Sequence, residues 1–129
     1  PYTTLFRSLP QNFASSNCVC YTGTHDNNTT VGWYEHDIDE CTRAAVASLL
    51  HKKIERPRDI ARGLINFALA SEARLAIVPM QDLLGLDERG RMNTPGTVGL
   101  NWKWCLKPDY LLEIEAAELK AMCKKYGRC

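Results

Sequence analysis

The chain has 129 residues, of which 45% are hydrophobic and 24% charged, and its formal net charge is +1. This length suits one domain, and the composition is typical of a globular protein rather than a disordered chain. A nearly neutral chain offers no electrostatic reason to expect a nucleic acid or an anionic membrane as partner. Its longest apolar run, 75–80, is far shorter than the roughly 20 residues that span a bilayer.

The six cysteines lack the paired C-x-x-C spacing of a zinc site. Cys18 and Cys20 alternate on a predicted strand and should share one buried face. We interpret the cysteines as structural or incidental, and we expect neither a metal nor a cofactor. A disulfide-stapled secreted domain is the alternative, and a count of free thiols would decide between them.

Residues 1–8 resemble the in-frame translation of a sequencing-adapter oligonucleotide. We therefore expect them to be an artefact, and residues 9–129 to be the native part. On this interpretation the natural chain begins upstream, and the present one is a fragment.

The first predicted element is a strand over Cys18 to Tyr21 that passes directly into polar residues. Gly23 follows it, and His25 and Asp26 come next. Catalytic groups of α/β barrels lie at the C-terminal ends of strands, so this junction predicts a carboxylate that faces a substrate. The ordinary alternative is that Asp26 caps a turn.

Two helices should follow this junction. Asp37 and Glu40 have the spacing of a capping box, which predicts a helix from about 38 to 52. Its narrower apolar face would carry Cys41, Ala45, Ser48 and Leu49. Pro57 suits the first turn of the second helix, whose apolar positions are Ile60, Leu64, Phe67 and Ala68.

A second strand, a long loop and a final helix complete the chain. The apolar run 74–80 is typical of a strand that is buried on both faces of a parallel sheet. Residues 81–108 have no clear periodicity and are predicted to form a functional loop, in which Trp102 and Trp104 pack into the core. The last helix should run from about 109 to 126, with an apolar stripe of Leu112, Leu119, Met122 and Cys123.

This order of elements predicts an α/β fold built on a parallel βαβ unit with a right-handed crossover. Two parallel strands alone leave their outer edges unpaired. We therefore expect the chain to be the last two βα units of a larger (β/α)₈ barrel. Polar groups and tryptophans after both strands could bind the hydroxyls and ring faces of a sugar, although turns have the same composition.

Four colinear segments make the chain similar to the C-terminal part of the 4-α-glucanotransferases, the amylomaltases or disproportionating enzymes. They are Tyr-Thr-Gly-Thr-His-Asp-Asn (21–27), Ile-Val-Pro-Met-Gln-Asp-Leu-Leu-Gly-Leu (77–86), Arg-Met-Asn-Thr-Pro-Gly-Thr (91–97) and Asn-Trp-Lys-Trp (101–104). The resemblance implies a (β/α)₈ barrel that transfers α-1,4-glucan segments to the 4-hydroxyl of an acceptor, with retention through a covalent glycosyl-enzyme. Maltooligosaccharides and starch- or glycogen-derived glucans would be the substrates, in the cytoplasm or in a plastid.

The resemblance also implies roles for individual residues. Asp26 matches the carboxylate that stabilises the transition state, and His25, Asn27 and Asn93 match substrate-binding positions. Asn93 could equally shape the turn at Pro95 and Gly96. The nucleophile and the general acid/base match no residue of this chain, so the fragment alone should be inactive. Asp82 is interpreted as structural.

Four positions depart from the family pattern: Asn28 replaces an aspartate, Gln11 a histidine, Leu100 a glycine and Cys105 an arginine. Asn28 and Cys105 each remove a charge that could anchor a loop. A non-catalytic glucan-binding module, using the same polar groups, is the alternative function.

Overall fold

The computed structural model describes residues 15–108 and 113–128, in which two parallel strands carry helices against one face. Strand β1 (Val19–Tyr21) pairs with β2 (Leu75–Ile77), and Cys20 lies opposite Ala76. The parallel pairing confirms the predicted βαβ unit.

The helices lie between and after the two strands. They are α1 (Thr30–Gly32), α2 (Glu40–Leu49), α3 (Pro57–Leu69), α4 (Met80–Leu84) and α5 (Glu113–Lys125). A π-helical turn (Trp33–Asp37) follows α1, and a 3₁₀ turn (Glu88–Gly90) follows α4. None of these helices is long and apolar enough to cross a membrane. The suspected artefact, residues 1–8, lies outside the described residues.

Helix α3 is the centre of the packing. Ile60 and Ile65 are each 0% exposed, and Ala61, Ala68 and Leu69 are also buried. The predicted stripe is confirmed at Ile60 and Ala68, whereas Leu64 and Phe67 are only half-buried. The face towards the strands carries Ile65 and Leu69, whose cluster packs against Ala76 of β2, and Ala68, which packs against Cys20 of β1.

Helix α3 begins at Pro57, as predicted, and polar groups hold its first turn in place. The Asp59 carboxylate accepts hydrogen bonds from the backbone N–H of Arg56 (2.9 Å) and from its guanidinium (3.0 Å). These bonds, the side-chain one foremost, hold the pKa of Asp59 below its usual value.

The predicted cap and face of α2 are wrong. Asp39, not Asp37, caps the helix by accepting a 2.7 Å bond from the N–H of Thr42, because Asp37 already belongs to the π-helical turn. Val46 is the buried residue, since it packs against the cluster around Val31 and Ile60. Three of the four predicted face residues are exposed, and Leu49 is half-buried.

Two other predictions for the second half are also wrong. The side chains of Leu75 and Ile77 are exposed, because among the described residues the helices cover one face of the sheet only. Residues 80–84 form helix α4 within the region predicted as loop. This helix ends at Gly85, whose φ of 65° favours glycine, and the Arg58 side chain lies 2.6 Å from where a Cβ would be.

Helix α5 packs on α3 as its apolar stripe predicted. Leu119, Met122 and Cys123 lie against the Ile65–Leu69–Leu83 cluster, while Leu112 lies outside the described residues. Ion pairs join Arg58 to Glu115 (2.6 Å) and Arg62 to Glu118. Beyond the helix, the Arg128 guanidinium donates to the carbonyls of Leu69 and Ala73 (both 2.7 Å). The C-terminal helix is therefore tied to the segment that leads into β2.

Cys18 and Cys20 share the face that packs against Ala68 and Ala73, as predicted. Burial raises the pKa of the Cys20 thiol. The described cysteines, at positions 18, 20, 41, 105 and 123, are free thiols.

Candidate functional site

The loop after β1 presents Asp26 at the tip of a tight turn. The side-chain oxygen of Asn27 accepts hydrogen bonds from both the N–H and the hydroxyl of Thr24, each 2.8 Å long. The backbone N–H of Asn27 also donates to the Thr24 carbonyl (3.2 Å). Asn27 therefore shapes the turn that holds His25 and Asp26, both of which are half-exposed.

Asp82 anchors this loop through its buried carboxylate. It is only 3% exposed, and its two carboxylate oxygens accept hydrogen bonds from the Thr22 hydroxyl (2.6 Å) and from the N–H of Thr30 (2.8 Å). The start of α4 is thus joined to both ends of the loop that follows β1. The structural interpretation of Asp82 is confirmed, because its buried oxygens are already engaged.

Asn28 holds the far side of the same loop. Its amide nitrogen donates to the Asp37 carboxylate (3.1 Å), and its oxygen accepts from the N–H of Thr29 (2.9 Å). A carboxylate at position 28 could not donate to Asp37 and would repel it. Asn28 is therefore a neutral anchor of this loop, and the effect of its departure from an aspartate stays a prediction.

The structure brings Asp26, His25 and Asn93 together, although 67 residues separate Asp26 from Asn93. The Asn93 side-chain nitrogen donates to the Asp26 carboxylate over 2.6 Å, and the His25 Nε2 lies 3.4 Å from the same oxygen. The backbone N–H of Asn93 donates to the His25 carbonyl (3.1 Å). The group can thus present a carboxylate of fixed orientation to a ligand.

Arg91 is a member of this group that sequence reasoning missed. Its guanidinium donates to the carbonyl of Asp26 (2.8 Å) and to the carbonyl of Asn93 (2.9 Å). The only signal in the sequence was its position two residues before Asn93, and nothing in that spacing identified its partners.

Trp102 borders the group and is not in the core, so the prediction of core packing is wrong. Its residue surface is 60% exposed, and its ring centroid lies 5.1 Å from that of His25. Its φ of 62° is in the left-handed region, and its backbone N–H donates to the Met92 carbonyl (2.7 Å). The strand-like alternation assumed for Trp102 and Trp104 does not occur, because this segment is irregular.

Two open clefts flank the strand ends. One, of about 470 Å³, runs past Tyr21, His25, Ile77 and Met92, and the other, of about 530 Å³, passes Asp26, Trp33 and Phe67. Both are lined by apolar and hydrogen-bonding groups, a combination that suits a small polar ligand with apolar faces.

A separate set of possible metal ligands lies on the surface. Atoms of Glu35, His36 and Glu88 lie within 4.8 Å of one another, and His36 pairs with Glu88 at 3.4 Å. His36 and Glu88 are exposed, and exposed groups of this kind commonly pair without a metal.

Polar groups at the C-terminal end of a parallel strand, beside an open cleft, define the class of α/β proteins that bind ligands at strand ends. The family model described as 4-alpha-glucanotransferase matches residues 4–111. The chain belongs to the 4-alpha-glucanotransferase family.

Individual proteins named 4-alpha-glucanotransferase are also similar to this chain. A 4-alpha-glucanotransferase of Streptococcus pneumoniae is 44% identical over 98 residues, which are 76% of this chain and 19% of the relative. The chloroplastic/amyloplastic 4-alpha-glucanotransferase of Solanum tuberosum is 42% identical over 123 residues, or 93% of this chain and 21% of the relative. The chain therefore spans about a fifth of the length of these relatives.

A solved structure is similar as well. The amylomaltase from Streptococcus agalactiae in complex with acarbose matches 95% of this chain and 24% of its own, with a TM-score of 0.86 and 32% identity. The likeness extends over nearly all of the present chain and about a quarter of the neighbour.

Proposed function

We propose that this chain supplies the last two βα units of a (β/α)₈ barrel in a retaining 4-alpha-glucanotransferase. The proposal is carried by the Asp26 carboxylate, which follows a parallel strand and accepts a 2.6 Å hydrogen bond from Asn93. Barrel enzymes gather their catalytic groups at this end of the strands. The substrates would be α-1,4-glucans, such as maltooligosaccharides and starch- or glycogen-derived chains.

Retaining transfer needs two carboxyl groups at the scissile bond. One attacks the anomeric carbon while the other protonates the leaving oxygen, so the glycosidic bond breaks as the glycosyl-enzyme bond forms. The acceptor's 4-hydroxyl then displaces the first carboxylate and gives its proton to the second. Because Asp82 is buried and fully engaged, neither role is assigned to it.

Asp26 would act as the third carboxylate of this reaction. It would accept hydrogen bonds from sugar hydroxyls, and these bonds would strengthen as the ring flattens towards the oxocarbenium-like transition state. His25 and Asn93 both contact the Asp26 oxygen and are proposed to bind the same sugar. Asn27 would contribute its amide nitrogen, since its oxygen bonds to Thr24.

The two remaining carboxyl groups are expected from other barrel strands of the complete enzyme. The 129-residue chain alone should therefore bind glucan weakly at most and transfer nothing. We propose the cytoplasm as the compartment, or a plastid if the source is a photosynthetic eukaryote, as for the chloroplastic/amyloplastic relative of Solanum tuberosum. We propose residues 9–129 as the native part and residues 1–8 as the artefact.

A chimera tests the proposal directly. Residues 9–129 replace the matching segment of the Solanum tuberosum enzyme, and the chimera is incubated with maltotriose. Redistribution into shorter and longer oligosaccharides is expected, whereas the same enzyme without the segment should produce none. A folded chimera that leaves maltotriose unchanged would contradict the proposal.

The exposed Trp102 ring favours a second candidate, a glucan-binding module without catalysis. The isolated chain would then bind maltoheptaose in a titration, and the chimera would stay inactive. Transfer by the chimera excludes this candidate.

A further inference from the structure

We propose that Arg91 is the positioning residue that aligns the Asp26 carboxylate for glucan transfer, an inference that rests on the function proposed above. Its guanidinium bridges two loops that are distant in sequence. One nitrogen donates to the carbonyl of Asp26 and another to the carbonyl of Asn93, at 2.8 and 2.9 Å.

These two bonds act on the backbone that carries the reacting groups. Asn93 donates its side-chain amide to the Asp26 carboxylate (2.6 Å) and its backbone N–H to the His25 carbonyl (3.1 Å). Arg91 thus closes a ring of hydrogen bonds around Asp26. Without Arg91, the two hydrogen bonds from Asn93 would have to hold the Asp26 loop in place.

The arginine fork is suited to this task. A guanidinium holds several N–H donors in one rigid plane, whereas a lysine ammonium is a single point donor on a flexible stem. A lysine at position 91 could reach one of the two carbonyls but would not fix the distance between them. Arg91 is half-buried as a residue; its bond to the Asn93 carbonyl is partly buried, whereas its bond to the Asp26 carbonyl is exposed.

Arg89 provides a matched control two residues away. Its side chain is 86% exposed and pairs with Asp87 at 2.6 Å, a contact within its own turn. Both arginines carry the same charge in the same loop. They differ in whether they bond to the backbone of Asp26.

The test compares R91A, R91K and R89A in the chimera, with kcat and KM for maltotriose and the midpoint of thermal inactivation measured for each. Displacing a catalytic group by about 1 Å can cost on the order of 100-fold in rate. We expect R91A to lower kcat by about 100-fold and R91K by about 10-fold, with KM and the midpoint close to those of R89A. Millimolar guanidinium should restore part of the kcat of R91A and leave R89A unchanged.

The outcomes separate the two proposals. An active chimera in which R91A has the kcat of R89A would overturn the positioning role alone. A loss confined to KM would also overturn it, since Arg91 would then act by holding glucan. If R91A does not fold, R91K decides: a lower kcat at an unchanged midpoint supports the role, and an unchanged kcat removes it. A folded but inactive wild-type chimera contradicts the function proposed above, and the positioning role falls with it.

Discussion

Around α3 the chain buries apolar side chains, whereas around Asp26 it exposes polar ones that hydrogen bonds hold in place. Ile60 and Ile65 are fully buried between helices and strands. Asp26 and His25 are half-exposed, and the bonds from Asn93 and Arg91 set their positions. We call the residues packed around α3 the helical region, and its buried apolar side chains stabilise the fold. The residues around Asp26 form the strand-end region, where hydrogen bonds hold polar groups in position for a ligand.

This difference has a consequence for substitutions. Changes in the helical region should act on stability and leave the reaction itself alone. Changes in the strand-end region should act on the rate and leave stability nearly unchanged, because exposed polar groups contribute little to folding. Variants of the chimera can test this difference between the two regions.

The largest effect is expected for Asp26→Asn. The amide keeps the shape but loses the negative charge that would favour the oxocarbenium-like transition state, so kcat should fall by about 100- to 1000-fold. The KM for maltotriose should change far less, because the contact is strongest in the transition state. Steady-state kinetics on maltotriose measure both kcat and KM. A near-normal kcat would remove Asp26 from the catalytic set.

The next largest effect is expected for Ile65→Ala in the helical region. Removing a fully buried branched side chain leaves a cavity that costs about 2–5 kcal/mol. The midpoint of thermal inactivation should drop, while kcat at 25 °C stays within about twofold of the unchanged chimera. Leu100→Ala is the control, since Leu100 is 84% exposed. An equal drop for both variants would show that α3 is not the stabilising centre.

A smaller effect is expected for Trp102→Ala. The ring lies 5.1 Å from the His25 ring, and such pairs contribute about 0.5–1.5 kcal/mol. We expect kcat/KM for maltotriose to fall by about 2- to 10-fold with an unchanged inactivation midpoint. Trp102→Phe keeps an aromatic face and should recover most of the loss. A variant that loses stability and keeps kcat/KM would place Trp102 with the helical region.

The smallest effect is expected at Asp59, and it depends on pH. Hydrogen bonds from Arg56 lower the pKa of Asp59 in the folded chain below its ordinary value. A carboxyl group with a depressed folded pKa stabilises the protein above its unfolded pKa, and this contribution is lost as pH falls through the folded value. The midpoint of inactivation should therefore decrease as the pH is lowered below about 4.

The matched variant for this last prediction is Asp59→Asn. It should be slightly less stable than the parent at pH 7, and the difference should shrink as the pH falls through the folded pKa of Asp59, because the parent carboxyl group is then protonated. Parallel pH profiles for the two proteins would contradict the role of Asp59 in fixing the start of α3.

Parts of the fold could be predicted because they depend on neighbours in the sequence. Pro57 marked the start of α3, the β-favouring run at Cys18 marked β1, and the spacing of Leu119 and Met122 marked the buried stripe of α5. The buried face of α2 could not be predicted in this way. It depends on where Val46 meets α1 and α3, and competing apolar positions on the same helix were equally plausible.

The sequence by itself determined the family, the parallel βαβ order and the candidates Asp26, His25 and Asn93, because motifs and periodicities are local or colinear properties. Only the tertiary structure decided that Asn93 donates to Asp26, that Arg91 bridges their backbones, and that Trp102 lies against His25 in the open. These contacts join residues between 65 and 77 positions apart. Their geometry arises from the pairing of β1 with β2 and from the anchoring of the loop by Asp82, which no local pattern encodes.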